Sequence, residues 1–139
     1  MKKLLIAIVI FAALTVGCEK KFTPLNTKSV ISANTSHKRD ALLLQLLEQE
    51  IYDATGQCTC EGSEEWYFAG VGHKACGGPW EYIAYSSQID TTYFLKLIER
   101  LKTQEKLYNL KWGISSTCET PPMPEDVVCV DGEPQFVYP

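Results

Sequence analysis

Apolar residues recur at helical spacing in two stretches of the chain, which predict two helices. The first runs from about 38 to 54, where leucines and an isoleucine lie three or four positions apart. Ser36 is its predicted N-cap and Gly56 its predicted stop. The second runs from about 91 to 109, is capped by Asp90, and has one apolar and one charged face. We expect the apolar face of each helix to pack against the rest of a domain.

Shorter apolar and aromatic stretches predict strands. Residues 66–71 are rich in residues that favour strands, and residues 112–116 form a further candidate strand. Residues 80–85 also favour a strand, although Pro79 suits the first position of a helical turn as well. Near the C-terminus, two apolar runs flank Asp131-Gly132, a dipeptide typical of tight β-hairpin turns. Pro134 cannot donate a ladder hydrogen bond, so its strand is expected at a sheet edge.

The order of these elements predicts an α+β fold. We expect a single small domain, residues 38–139, in which two helices pack on a short antiparallel sheet with a C-terminal hairpin, stabilised by disulfides. The chain length of 139 residues fits one such domain.

The first 17 residues have the pattern of an export signal peptide. Two lysines precede an apolar run at 4–16, which is shorter than the about 20 residues that span a bilayer. Residues 14–18, LTVGC, resemble the lipobox of bacterial lipoproteins. The resemblance implies cleavage after Gly17 and acylation of Cys18, with palmitate as a typical chain. Residues 18–37 then form a lipidated N-terminus and flexible tether, and the domain lies in the cell envelope, anchored to the outer membrane if the cell has one.

Charge narrows the choice of partners. Removal of Lys2 and Lys3 from a chain with 13 basic and 17 acidic side chains leaves a formal charge of −6. No basic cluster remains beyond Lys20 and Lys21, and phosphate binding needs a concentrated positive face. We therefore predict no nucleic-acid partner. The expected partners are the membrane, through the lipid at Cys18, and a protein of the envelope.

The remaining cysteines are predicted to form disulfides, because thiols outside the cytoplasm tend to be oxidised. Cys118 and Cys129 flank a proline-rich loop, and we predict that they bridge each other. Cys76 is predicted to bridge back to Cys58 or Cys60. Five cysteines remain after Cys18 is lipidated, so one thiol is left over.

The same central stretch allows a metal site as an alternative. Cys58, Cys60, His73 and Cys76 form a possible tetrahedral zinc set of three sulfurs and one imidazole. A metal-binding or redox-sensing lipoprotein is therefore the alternative function, although oxidation competes with metal for the thiolates.

Enzymatic chemistry has little support in this sequence. Cys76 with His73 as its base lacks an evident third residue to orient the imidazole. Glu61, Glu64 and Glu65 lack the regular spacing of a calcium loop. We predict no catalytic residue and no cofactor.

Cys76-Gly77-Gly78-Pro79-Trp80 is the most unusual local sequence. Its glycines permit positive φ angles next to a cysteine. One interpretation is a crosslinked tight turn with Trp80 in the core. The other is a rigid loop that presents Trp80 or His73 to a partner, because aromatic anchors dominate many interfaces.

The segment 74–80, KACGGPW, with 85–86 and 89–90, resembles a group of small bacterial lipoproteins and secreted proteins over about residues 40–132. Members of that group often carry one more cysteine in the final hairpin, where this chain has Glu133 and Pro134. The resemblance implies that the odd cysteine here has lost its partner, and it implies no activity. The predicted function is a non-enzymatic binding or inhibitor-like module.

Overall fold

The computed structural model describes residues 29–56, 60 and 65–139. It contains six elements: α1 (His37–Thr55), β1 (Trp66–Val71), β2 (Glu81–Ser86), α2 (Thr91–Trp112), β3 (Asp126–Val130) and β4 (Glu133–Val137). The strands form two separate antiparallel pairs, β1–β2 and β3–β4. The predicted α+β class is confirmed. The signal peptide, Cys18, Cys58, Glu61 and Glu64 lie outside the described residues.

Local capping chemistry sets the ends of both helices. The Ser36 side chain accepts a hydrogen bond from the Arg39 N–H at the start of α1, and Gly56, with φ +66°, ends that helix. Asp90 accepts from the Tyr93 N–H at 2.9 Å at the start of α2. This helix continues to Trp112 and ends at Gly113, so the strand predicted at 112–116 is wrong.

Both hairpins have the register that their turns dictate. In β3–β4, Asp131 (φ +52°) and Gly132 (φ +83°) form the two-residue turn with both central φ angles positive that suits the twist of a hairpin. The predicted Asp-Gly hairpin is therefore confirmed, and Pro134 lies opposite Cys129 within a sheet of only two strands. In β1–β2, Val71 pairs with Glu81, which brings the end of β1 beside the start of β2.

The core lies between α1, α2 and the β1–β2 hairpin. Leu47 and Ile51 of α1 meet Phe94 and Leu101 of α2, and all four are fully buried. Tyr85 packs against Phe94 from β2, with ring centroids 4.7 Å apart. Burial of such side chains contributes roughly 1.5–3 kcal/mol each, which makes this layer the main source of stability.

A buried ion pair joins the start of α1 to the end of α2. Asp40 is 1% exposed and accepts hydrogen bonds from Lys111 Nζ at 2.7 Å and from Trp112 Nε1 at 3.2 Å. Lys111 Nζ also donates to the backbone oxygens of Ser32 and Thr35, both at 2.6 Å. Burial by itself raises the pKa of Asp40, but the hydrogen bonds from Lys111 and its other partners hold that pKa below its ordinary value.

Two disulfides connect segments that are distant in sequence. Cys60 bridges Cys129, and Cys76 bridges Cys118, with Cα atoms 5.6 and 5.1 Å apart. The predicted bridge between Cys118 and Cys129 is therefore wrong, and so is the predicted return of Cys76 to Cys58 or Cys60. The physical reason lies in the tertiary structure, which brings segments that are distant in sequence together. The backbone N–H of Cys60 donates to Gly132 O at 3.1 Å in the C-terminal hairpin, so that residue lies beside Cys129.

Candidate binding pocket at Trp80

Trp80 stands on the surface rather than in the core. It lies just before β2 and is 47% exposed, so the interpretation that placed it in the core is wrong. His73 follows β1, is half-buried, and makes two hydrogen bonds to α2 through its backbone. Its N–H donates to Glu105 Oε2, and its carbonyl accepts from Asn109 Nδ2 at 2.8 Å. The structure therefore places both predicted binding residues in the segment between β1 and β2. The Trp80 side chain is exposed there, whereas the His73 backbone is hydrogen-bonded to α2.

The loop between β1 and β2 is held in place from both sides. Within it, the Lys74 N–H donates to Gly78 O at 2.9 Å and the Gly77 N–H donates to Lys74 O at 2.8 Å. The Cys76–Cys118 disulfide ties it to the segment after α2. Lys74 Nζ donates to the Glu119 carbonyl and lies 5.3 Å from the centroid of the Trp80 ring. The indole is therefore presented by a crosslinked, hydrogen-bonded loop.

Gly72 allows Trp80 and Glu105 to approach the backbone closely. Its φ is +77°, and a Cβ at this position would lie 2.5 Å from Trp80 Cδ1 and 2.6 Å from Glu105 Oε2. Real Cβ contacts are longer than 3 Å, so any other residue here must displace the indole or the carboxylate. The glycine thus fixes the relative positions of the two side chains.

A cavity of about 350 Å³ lies between Trp80 and the two helices. Its walls contain three carboxylates, Glu48, Glu81 and Glu105, and two aromatic rings, Trp80 and Tyr52. The remaining lining residues are Val71, Gly72 and Leu101. Each wall comes from a different element: α1, the end of β1, the start of β2, and α2.

The carboxylates of this cavity differ from Asp40 in their electrostatics. Glu105 is 6% exposed, and burial raises its pKa to about 7, although the hydrogen bonds from the His73 N–H and the Trp80 side chain oppose the shift. Burial and the nearby charge of Glu81 also raise the pKa of Glu48. Glu81 accepts a hydrogen bond from the Tyr52 hydroxyl, and burial together with that bond raises the pKa of Tyr52 to about 12. Titratable groups shifted in this way within a cavity mark a candidate functional site.

Sequence reasoning missed four residues of this pocket: Glu48, Tyr52, Glu81 and Glu105. One signal was present for Glu105, because it lies four positions after Leu101 and therefore continues the apolar face of α2. A carboxylate on a buried stripe is uncommon and indicates a special environment. Glu48 and Tyr52 lie four positions apart on α1, but only the tertiary packing of α1 against β2 brings Glu81 beside them.

The disulfides remove thiolates that the zinc-site and catalytic-cysteine hypotheses require. Cys60 and Cys76 both bridge other cysteines, so the disulfide-bonded chain lacks two thiolates of the set Cys58, Cys60, His73 and Cys76. The bridged Cys76 likewise has no thiolate to act as a nucleophile. Within residues 29–56, 60 and 65–139, no cluster of three or more His, Cys, Asp or Glu side chains is placed to hold a metal ion.

No protein family, curated protein or solved structure matches this chain. Among the helices of the described segments, none combines the length and apolar character needed to cross a bilayer.

Proposed function

We propose that this protein is a lipid-anchored lipoprotein of the cell envelope, and that its folded domain is a non-enzymatic module that binds a partner protein through the Trp80 pocket. The observation that supports binding most strongly is the presentation of Trp80. The indole is half-exposed, forms one wall of a cavity, and sits on a loop held by a disulfide and by backbone hydrogen bonds. A rigid aromatic anchor beside a pocket is the arrangement typical of interface hot spots.

The proposed anchor rests on the sequence around Cys18. Each buried methylene of an acyl chain contributes about 0.8 kcal/mol to membrane binding, so two or three chains hold the protein on the membrane stably. Metabolic labelling with an alkyne-bearing palmitate analogue tests this proposal. We expect label on the wild-type protein and none on Cys18→Ser, while equal labelling of both proteins contradicts the lipobox assignment.

Site-specific photo-crosslinking in the producing cells tests the binding proposal. A photoreactive phenylalanine analogue replaces Tyr52, which is 44% exposed on the pocket rim. The matched control carries it at Lys102, on an exposed part of α2. We expect a discrete adduct with one envelope protein, identified by mass spectrometry, from position 52 only. That adduct should disappear when Trp80→Ala is added, with the thermal unfolding of the variant checked by circular dichroism. Equal adducts from both positions, or none from position 52, contradict binding at this pocket.

A further inference from the structure

We infer that the Trp80 pocket binds the guanidinium group of an arginine side chain carried by the partner protein. This inference rests on the proposed function and names the chemistry that the pocket recognises. It follows from the charge, shape and wall composition of the cavity.

The charge of the cavity calls for a cation. Among the residues that the structure describes, the lining comprises three glutamates, two aromatic residues, two aliphatic residues and a glycine, with no basic side chain. Lys74 Nζ lies 5.3 Å from the centroid of the Trp80 ring, but it donates to the Glu119 carbonyl and does not belong to the lining. An organic cation placed between the three glutamates would supply the counter-charge that Lys111 supplies to Asp40 elsewhere in the fold.

The raised pKa values of the pocket carboxylates also favour a bound cation. Glu105 faces Glu48 and Tyr52 of α1, Trp80 and Glu81 at the start of β2, and the backbone N–H of His73. Coulombic repulsion from Glu48 adds to the burial that raises the pKa of Glu105. A bound cation would favour the ionised form of each carboxylate, so binding should release protons and strengthen as pH rises through 7.

The wall composition favours a guanidinium over an ammonium. A guanidinium is planar, stacks on aromatic faces, and donates paired hydrogen bonds to a carboxylate. Trp80 supplies an exposed aromatic face, and Glu48, Glu81 and Glu105 supply the acceptors. An ammonium is a compact and strongly hydrated point charge that uses neither the planar stack nor the bidentate geometry.

The size and floor of the cavity favour a single long side chain. Its volume of about 350 Å³ lies near the lower end of the 300–1,000 Å³ that is roughly typical of ligand pockets. Trp80 and Tyr52, which are 47% and 44% exposed, offer an apolar surface to the methylene stem of the arginine, whereas Leu101 and Val71 line the cavity but are buried. The net negative charge of the chain also steers a basic partner towards this surface.

The test is a titration of the full lipidated protein in detergent micelles, followed by NMR through the indole N–H signal of Trp80. That signal is assigned by its loss in Trp80→Phe. The ligands are capped Gly-X-Gly tripeptides in which X is arginine, lysine or citrulline, together with free arginine. We expect saturable shifts with the arginine peptide, at least tenfold weaker binding of the lysine peptide, and none with neutral citrulline. Equal binding of the arginine and citrulline peptides overturns the inference.

Substitutions of the pocket glutamates test whether the arginine peptide binds in the Trp80 pocket. Glu105→Gln and Glu48→Gln should each weaken binding of the arginine peptide at least fivefold at pH 8, whereas Glu99→Gln on the exposed face of α2 should leave it unchanged. Unchanged binding in both pocket variants overturns the inference. Free arginine that binds at least tenfold more tightly than the capped peptide also overturns it, because the site then serves a small molecule.

The two proposals can fail separately. A partner crosslinked at position 52 together with no binding of the arginine peptide leaves the binding module standing and removes the arginine inference. Binding of the arginine peptide with no crosslinked partner leaves the pocket chemistry standing and removes the protein partner.

Discussion

Asp40 and Glu105 are both buried carboxylates on the same pair of packed helices, but their surroundings shift their pKa values in opposite directions. Asp40 has the Lys111 ammonium at 2.7 Å and the Trp112 indole at 3.2 Å, and its pKa is lowered. Glu105 accepts from the His73 backbone N–H and from the Trp80 side chain, but it faces other carboxylates across a cavity and has a pKa raised to about 7. One carboxylate has its counter-charge within the fold, whereas the cavity of the other has no basic side chain among the residues described by the structure.

This difference distinguishes a carboxylate that stabilises the fold from a carboxylate that is available to bind a ligand. A buried carboxylate with a full set of partners fixes how segments join, and it has nothing left to offer a ligand. A buried carboxylate without a counter-ion costs stability, and such a cost is commonly retained at sites that bind or react. The comparison therefore supports a structural role for Asp40 and a binding role for Glu105, and three substitutions test it.

The largest effect is expected from Asp40→Ala. This change leaves the Lys111 ammonium, whose side chain is only 18% exposed, without its carboxylate. Breaking a buried ion pair from one side costs about 3–5 kcal/mol, and we expect about 4 kcal/mol from urea unfolding at pH 7. The companion Lys111→Met should cost a similar amount, and the double variant less than the sum of the two. A loss below about 1 kcal/mol would mean that the pair is not structural.

Glu105→Gln should raise the free energy of unfolding above pH 7, whereas Asp40→Ala lowers it. The pKa of Glu105 is about 7 in the folded protein against an ordinary value of 4.5, so the folded state keeps a proton that the unfolded state releases. The free energy of unfolding of the wild type therefore falls as pH rises from 4.5 to about 7, by up to about 3 kcal/mol, and then levels off.

The glutamine variant loses this slope because it cannot ionise, and it still accepts from the His73 N–H. We expect it to be more stable than the wild type at pH 8 and similar at pH 4.5. Denaturant unfolding at a series of pH values measures both. Parallel pH profiles for the two proteins would contradict the raised pKa and, with it, the contrast to Asp40.

The smallest effect is expected from Gly72→Ala. The positive φ costs roughly 1–2 kcal/mol for a residue with a Cβ, and the new methyl must displace Trp80 or Glu105. Thermal unfolding should therefore shift modestly, while the indole N–H signal of Trp80 changes clearly. Gly113→Ala is a matched control, since its φ is +62° but its Cβ would meet nothing within 4 Å. If both variants perturb Trp80 equally, Gly72 does not set its position.

The parts of the fold that follow local chemistry could be predicted from the sequence. Ser36 and Asp90 cap helices through bonds to residues three positions away, and Asp131-Gly132 sets its turn through its own φ angles. Trp112 was misassigned to a strand because its aromatic character favours strands, whereas its indole bonds to Asp40, 72 positions away.

The candidate site was predicted only in part for the same reason. Trp80 was recognisable from the glycines that precede it, since these require unusual backbone angles. The pocket around it depends on contacts between α1, β2 and α2 that no local pattern records. The pairing of Cys60 with Cys129 likewise depends on the hairpin folding back over a separation of 69 residues.

The Cys60–Cys129 and Cys76–Cys118 disulfides are nested, because the second closes inside the segment bounded by the first. If the chain is exported from its N-terminus as proposed, Cys58, Cys60 and Cys76 reach the oxidising compartment before Cys118, and Cys129 arrives last. An oxidase that joins cysteines in order of arrival would link cysteines of the 58–76 stretch to each other and trap a non-native loop. The native pairing therefore requires that α2 and the final hairpin arrive before oxidation is complete, or that early bridges are reshuffled. Under the proposed export, correct assembly of this domain thus depends on the timing of translocation as well as on the sequence.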